Sequence, residues 1–349
     1  MRRRSFLATA GTAAALSVAG CGGASSSGGR TLVVGTYGSF IDSPSSSPGA
    51  WLKDRFESEF DARLVWQTPS NEVTHYIERA AAGVDIEADL YMGVGPDDLV
   101  LADQELDSAL FAPAGGVEGQ DAVKDGLDFD PQGRAVPFDT GYISLVFDGT
   151  ATTAPATFEG LLDSEHAGDL ITQNPSSSDT GRAFMLHTIK QYGPDGYLDY
   201  WADLQNNGVR VLGGWSDAYA AWSDGEAPMI TSYSTDQVFA DQEGADLEKH
   251  QIRFLEDQAY ANPEGMAVFE GATEPTLARQ FMSFVLGPEI QGELAVRNVA
   301  FPATTTADLP DDYSQLAVEP PEPVTFSYEE LQGSVGGWVE DWSQQFAQN

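Results

Sequence analysis

Residues 209–235 read VRVLGGWSDAYAAWSDGEAPMITSYST, and this stretch decides the fold class. The apolar runs at 209–212 and 228–231 have the length and composition of buried strands, and the segment between them has room for one helix. A strand, a helix and a second strand at this spacing indicate parallel strands covered by helices. The sequence therefore predicts an α/β fold.

Three large aromatic residues lie in this stretch, Trp215, Tyr219 and Tyr233, among serine and threonine hydroxyls. The pattern alone favours a role in the core. The alternative is a ligand site, because aromatic faces bind a flat or cationic ring while hydroxyls and helix-start amides bind its polar ends. Tyr219 lies one turn beyond Trp215 and is the one of the three expected to serve packing only.

The rest of the chain continues the alternation, with strands predicted at 32–35, 63–66 and 88–95 and helices between them. Residues 136–148 are interpreted as a crossing between two lobes, in which Pro137 restrains the chain and Gly141 can act as a pivot. Near the end, Ser327 and Glu330 form a predicted capping box. An apolar helical stripe is then predicted to pack the C-terminal tail as part of the core. Its residues are Trp338, Trp342 and Phe346.

The composition is strongly acidic but not that of a disordered chain. Asp and Glu number 54 against 17 Lys and Arg, which gives a net charge of −37, yet 42% of the residues are apolar. Only four of the basic residues are lysine. This pattern indicates a surface adapted to concentrated salt, which points to a haloarchaeal source, and it disfavours nucleic acid as a partner.

The N-terminus has the features of an export signal. Residues 3–7 read Arg-Arg-Ser-Phe-Leu, which fits the twin-arginine form, and a short apolar stretch leads to Cys21 and a Gly/Ser-rich leash. Cys21 is interpreted as a lipidated residue that anchors the protein at the extracellular face of the cell membrane. It is also the only cysteine, so the chain has neither intramolecular disulfides nor a thiol nucleophile in its body.

Seven motifs follow one another along the chain: TYGSF (36–40), VPFDTGY (136–142), ITQNPSSSDTG (171–181), GGWSDAYAAWSDGE (213–226), TSYSTD (231–236), NVAFP (298–302) and WVEDW (338–342). In this order they closely resemble the solute-binding lipoproteins of thiamine ABC transporters. The resemblance implies a two-lobed type II periplasmic-binding-protein fold, with mixed sheets flanked by helices and a ligand cleft between the lobes. It implies a monomer without a cofactor that delivers thiamine or its phosphates to permease subunits. The expected segments are 1–29 for signal and leash, 30–137 plus 265–349 for lobe 1, and 138–264 for lobe 2.

Carried over by position, the resemblance gives roles to ten residues. The rings of the ligand would lie against Tyr37, Trp215 and Tyr233, and Phe239 stands where the family has a tyrosine. A second group would hold the hydroxyethyl end or a phosphate: Ser177, Ser178, Asp179 and Gly181. The family's acidic residue falls on Asn71, with Glu72 adjacent.

Two departures from the family change the expected site. Asn71 cannot supply the negative charge for a cationic ring, so the partner must be Glu72, Asp139 or another group. Val299 replaces a family tryptophan, so one aromatic wall is missing.

Other functions remain as alternatives with different requirements. A polyamine site needs several carboxylates and aromatics but no serine-rich helix start. Ferric carriers rely on adjacent tyrosines, which are absent, and the chain has no transition-metal cluster of His and Cys. Thiamine-degrading transferases use a cleft cysteine, and the four histidines are scattered without a nucleophile-elbow serine, so an enzyme is not expected.

Overall fold

The computed structural model describes residues 29–42 and 47–347. The export signal, Cys21 and most of the leash lie outside the described residues. Within them the chain forms a two-lobed α/β fold with one continuous, curled sheet flanked by helices. None of the helices described in these residues is both long and apolar enough to cross a membrane.

Eleven strands are found in the described residues: β1 (Arg30–Thr36), β2 (Ala62–Gln67), β3 (Leu90–Val94), β4 (Ala135–Phe147), β5 (Leu170–Gln173), β6 (Arg210–Leu212), β7 (Met229–Tyr233), β8 (Gln251–Arg253), β9 (Gln258–Val268), β10 (Phe301–Pro302) and β11 (Glu322–Val324). The α-helices of the same residues are α1 (Gly38–Ile41), α2 (Pro48–Glu59), α3 (Glu72–Ala81), α4 (Pro96–Glu105), α5 (Asp179–Tyr192), α6 (Tyr197–Asn206), α7 (Trp215–Ser223), α8 (Asp236–Gln242), α9 (Pro275–Val285), α10 (Pro288–Arg297), α11 (Tyr313–Leu316), α12 (Tyr328–Leu331) and α13 (Val335–Ala347).

The sheet order confirms the predicted α/β class. Strands run β2-β1-β3-β9-β4-β7-β5-β6, and β1 pairs in parallel with β2 and β3 at one end, as β5 does with β6 and β7 at the other. The opening stretch is therefore a parallel crossover unit, in which β6, α7 and β7 pass over β5. The antiparallel strands β4 and β9 lie between the two parallel sets and join them.

The segment expected to cross between the lobes is a single strand of 13 residues, β4. Gly141 lies inside this strand, and the pivot role expected for it stays a prediction. A Cβ at Gly141 would lie 2.3 Å from Cδ1 of Tyr233. Because Gly141 has no side chain, the Tyr233 ring can occupy the space that a Cβ would take.

The C-terminal tail packs as predicted. Ser327 and Glu330 form the capping box at the start of α12, and Trp342 is only 1% exposed. The Trp342 ring stacks on Phe346 and meets the edge of Trp201 in α6 at 5.4 Å. The last helix of segment 265–349 thus packs against a helix of segment 138–264, and the predicted lobe boundaries stay a prediction.

Candidate ligand-binding site

A cavity of ≈ 420 Å³ lies at the meeting of the two parallel strand sets. This volume is within the range of small-molecule sites. Its walls come from the ends of β1 and β7, from the starts of α3, α5 and α7, from the central strands β4 and β9, and from the turn after α10. Eight of the ten residues predicted to bind the ligand line this cavity: Tyr37, Glu72, Ser177, Ser178, Asp179, Trp215, Tyr233 and Phe239.

Four aromatic side chains line the cavity and are only partly buried, namely Tyr37, Trp215, Tyr233 and Phe239. A core residue of this size would be enclosed on all sides, so their exposed faces are available to a ligand. Tyr219, which is 3% exposed, packs beneath Trp215 with a ring-centroid distance of 4.8 Å. Tyr219 therefore supports Trp215, and it also contributes to the cavity lining, which goes beyond the packing-only role predicted for it.

Hydrogen bonds hold the aromatic wall in place. The indole Nε1 of Trp215 donates to Oγ of Ser232 at 3.0 Å. The hydroxyl of Tyr219 donates to Oδ1 of Asp236 at 2.7 Å, and Oδ2 of Asp236 lies 2.6 Å from Nδ1 of His250. His250 is therefore a hydrogen-bonded structural residue behind the aromatic wall.

A glycine of a neighbouring strand also lies behind Tyr37. At Gly93 a Cβ would lie 2.6 Å from Cδ1 of Tyr37, and the φ of +114° at Gly93 favours glycine as well. The hydroxyl of Tyr37 accepts a hydrogen bond from Nδ2 of Asn298 at 2.9 Å. The space left by Gly93 and the hydrogen bond from Asn298 together fix the position of the Tyr37 ring at the end of β1.

Two hydrogen bonds fix the serine-rich loop before α5. Ser178 is the N-cap of α5, and its Oγ accepts from the backbone N–H of Gly181. Ser177 donates from Oγ to the carbonyl of Gly213 at 2.8 Å. Gly181 itself does not line the cavity; a Cβ there would lie 2.5 Å from the carbonyl oxygen of Gln173, which explains the glycine.

Asn71 and its neighbour Glu72 lie in different environments. Asn71 is exposed before α3 and outside the cavity lining, whereas Glu72 lines the cavity.

Glu72 and Val299 both have positive φ, of 50° and 54°, and both line the cavity. Such conformations cost on the order of 1 kcal/mol or more for residues with side chains and cluster at functional sites.

Asp139 and Glu264 form a carboxyl pair on the floor of the cavity, opposite each other on β4 and β9. Nδ2 of Asn298 donates to Oδ2 of Asp139 at 2.7 Å. Burial raises the pKa of Asp139 to about 7, and burial with the charge of Asp139 raises the pKa of Glu264 well above its ordinary value. Oε2 of Glu264 is buried without a hydrogen-bond partner in the described residues.

Sequence reasoning missed Glu264. The available signal was an acidic residue inside an otherwise apolar return strand, which a buried strand tolerates only with a partner or a function. Asp139 was considered as a carboxylate, but its neighbour across the sheet could not be inferred without the strand register.

A second group of charges lies beside the cavity, around Arg182 of α5. Its guanidinium contacts carboxylates of Asp97, Asp98 and Asp179, with Nη2 of Arg182 at 3.1 Å from Oδ1 of Asp98. Burial, and then the neighbouring charge of Asp179, raise the pKa of Glu72 well above its ordinary value. Arg182, Asp97 and Asp98 were not singled out from the sequence, and none of the three lines the cavity.

The described residues also bear on the ferric-carrier alternative. Across residues 29–42 and 47–347, no group of three or more His, Cys, Asp or Glu side chains is arranged to hold a metal ion.

Comparison with known proteins identifies relatives of this chain. Residues 51–320 match the family described as bacterial extracellular solute-binding protein. The thiamine-binding periplasmic protein of Brucella suis is 28% identical over 324 residues, covering 89% of this chain and 91% of the relative. The thiamine-binding periplasmic protein of Escherichia coli is 27% identical over 312 residues, covering 89% and 92%.

Solved structures show the same similarity in three dimensions. A periplasmic thiamin binding protein superimposes with a TM-score of 0.79 at 25% identity, covering 90% of this chain and 96% of that one. A ferric binding protein from Campylobacter jejuni has the same fold, with a TM-score of 0.71 at 15% identity.

Proposed function

Since this chain belongs to the family of bacterial extracellular solute-binding proteins, we propose that it captures thiamine in its interlobe cleft and delivers it to the permease of an ABC transporter. The alignments with the relatives named as thiamine-binding cover about nine-tenths of this chain and of each relative, which supports this choice of solute. Those relatives are binding proteins, so the proposed role is capture without catalysis.

One observation carries the proposal: partly exposed aromatic rings and carboxyl groups line the same small cavity. Thiamine combines two flat rings, one of them permanently cationic, with a hydroxyethyl group. Tyr37, Trp215 and Tyr233 offer ring faces, and a cation over such a face is stabilised by about 0.5–2 kcal/mol. Ser177 and Ser178 offer hydroxyls for the hydroxyethyl end.

The missing acid at Asn71 has a local substitute. Glu72, one residue later, supplies a carboxyl group to the cavity. Tyr37 and the Asp139–Glu264 pair meet at Asn298, directly before Val299. We propose that the pair provides the negative charge next to the cationic ring.

We further propose that the lobes close on the ligand about β4 and β9, with segments 30–137 plus 265–349 and 138–264 as the bodies. Closure excludes water, and the higher affinity of the closed state for thiamine shifts the equilibrium towards it.

The N-terminal pattern supports export by the twin-arginine route and lipid attachment at Cys21, which would place a monomer at the extracellular membrane surface. A Cys21→Ser variant expressed in the native host tests this step. We expect it to move from the membrane fraction to the medium, while a variant that stays membrane-bound would contradict lipid anchoring at Cys21.

Titration calorimetry of the purified protein in high salt, with thiamine and with spermidine, tests the proposed solute. We expect saturable heat with thiamine and weaker or no binding of spermidine. Absence of heat with thiamine would reject the thiamine assignment, and tighter binding of spermidine would favour the polyamine alternative.

A further inference from the structure

Among the described residues, the cavity lining contains acidic side chains and no basic one. Six carboxyl side chains line the cavity, and no Lys, Arg or His side chain is among the lining residues of the described chain. The six acids come from both strand sets and from the central strands: Glu72, Asp139, Asp179, Asp217, Asp236 and Glu264. An anionic group that entered this space would have no cationic side chain with which to pair.

The nearest cation, Arg182, is already neutralised. Three carboxylates contact its guanidinium, two from the start of α4 and one from the first turn of α5. Because three negative charges surround one positive charge, this cluster has a net negative charge when its members are ionised. It therefore offers no pairing to a phosphate, which Arg binds well only when its donors are free.

The start of α5 is also a poor phosphate site in this chain. A helix N-terminus normally attracts anions through its free amides. Here the N–H of Gly181 is bonded to Oγ of Ser178, and the carboxyl group of Asp179 occupies the first turn. Asp179 also lines the cavity.

We infer, building on the proposed function, that the cleft selects the unphosphorylated cation and discriminates against its phosphate esters. A phosphate ester adds a charge of about −1.5 to −2 near pH 7. Burying that charge without a cationic partner is unfavourable, and repulsion from those lining carboxyl groups that are ionised adds to the effect. A permanent cation, in contrast, gains a partner in the buried, unpaired Oε2 of Glu264.

Calorimetric titration of the purified protein with thiamine, thiamine monophosphate and thiamine diphosphate tests the inference. We expect the monophosphate to bind at least about tenfold more weakly than thiamine, and the diphosphate more weakly still. Equal or tighter binding of either ester would overturn the inference. It would leave the proposed function intact, whereas no binding of any form would reject that function.

Two charge-reversal variants test whether the carboxyl groups of the cavity lining cause the discrimination against phosphate esters. Asp217 lies at the cavity on the first turn of α7, and Asp224 lies at the other end of the same helix, outside the lining. We expect Asp217→Lys to raise the affinity for the monophosphate relative to thiamine by about three- to tenfold. Asp224→Lys changes net charge equally and is expected to leave that ratio unchanged. Equal ratios in both variants would contradict a local electrostatic cause.

Discussion

Individual side chains at the cavity combine a rigid support with an exposed face. Trp215 shows this most directly, since its Nε1 is bonded to Ser232, its inner face lies on Tyr219, and the ring is still partly exposed. A fixed ring loses little conformational entropy when a ligand stacks on it. Its contribution should therefore appear in binding more than in folding.

We expect Trp215→Ala to weaken thiamine binding by about 1–3 kcal/mol, because the stacked cation loses an aromatic face. Calorimetric titration measures the loss, and thermal unfolding checks the fold. Trp51→Ala is the control, since Trp51 is another partly buried tryptophan, outside the cavity lining. A Trp215→Ala protein that unfolds, or one that binds thiamine normally, would assign Trp215 to the core alone.

The carboxyl pair makes binding depend on pH. In the empty protein burial raises the pKa of Asp139 to about 7, and burial together with the charge of Asp139 raises the pKa of Glu264 well above its ordinary value. A bound cation favours the ionised pair and lowers both pKa values, so binding releases protons. The groups that face Glu264 and share in this titration are Tyr37, Glu72, Asp139 and Asp179.

We expect the affinity for thiamine to increase as the pH rises from about 5 to about 8 and then to level off. The heat should depend on the ionisation enthalpy of the buffer, which calorimetry detects. The empty protein should lose stability as the pH rises from about 4, the unfolded pKa, through about 7, since a carboxyl with a raised pKa favours folding only while protonated. Glu264→Gln should reduce both trends; an affinity independent of pH would refute the linkage.

At the scale of elements, the long strand β4 matters because two of its residues shape the cavity from the middle of the sheet. Asp139 faces Glu264 across the register with β9, and Gly141 leaves space for the Tyr233 ring of β7. Both features depend on neighbouring strands that are distant in sequence. The strand therefore serves both as a connection between the lobes and as the floor of the site.

We expect Gly141→Ala to lower the stability by about 1–3 kcal/mol, because the new Cβ would overlap the Tyr233 ring. Displacement of that ring should also weaken thiamine binding. Denaturant unfolding and titration measure the two effects. The control is Gly337→Ala within α13, where a Cβ meets nothing within 4 Å and helix propensity favours alanine. If Gly141→Ala matched this control, the ring would not depend on the glycine.

The whole molecule has a net charge of −37, and this charge acts on stability through self-repulsion. At 0.1 M salt, charges interact over about 10 Å, and at 1 M over about 3 Å. Surface repulsion should therefore disappear in concentrated salt. The buried carboxyl groups of the cavity are screened much less, so ligand selection should persist.

We expect the unfolding temperature to rise between about 0.1 M and 2 M KCl as repulsion is screened. Differential scanning calorimetry measures the change, with sorbitol at equal osmolality as an uncharged control. A temperature that is flat or falls with KCl would contradict salt adaptation of the surface.

The sequence by itself determined the α/β class, the order of strands and helices along the chain, and most of the aromatic residues of the cavity. Apolar periodicity and Gly-rich strand ends are local signals, and the tail stripe and the Ser327 capping box are local too. Eight of the ten residues that the family resemblance named for the ligand line the cavity, and most of the motifs that contain them follow strand ends, which meet at one edge of a sheet.

Only the tertiary structure decided which charges meet in the cleft. The sequence could not show that Glu264 lies opposite Asp139, that Asn71 stays outside while Glu72 lines the cavity, or that Arg182 is neutralised by Asp97 and Asp98. These contacts join residues up to 125 positions apart through strand register and loop conformation. Electrostatic interactions depend on distance and burial, which the order of residues does not specify.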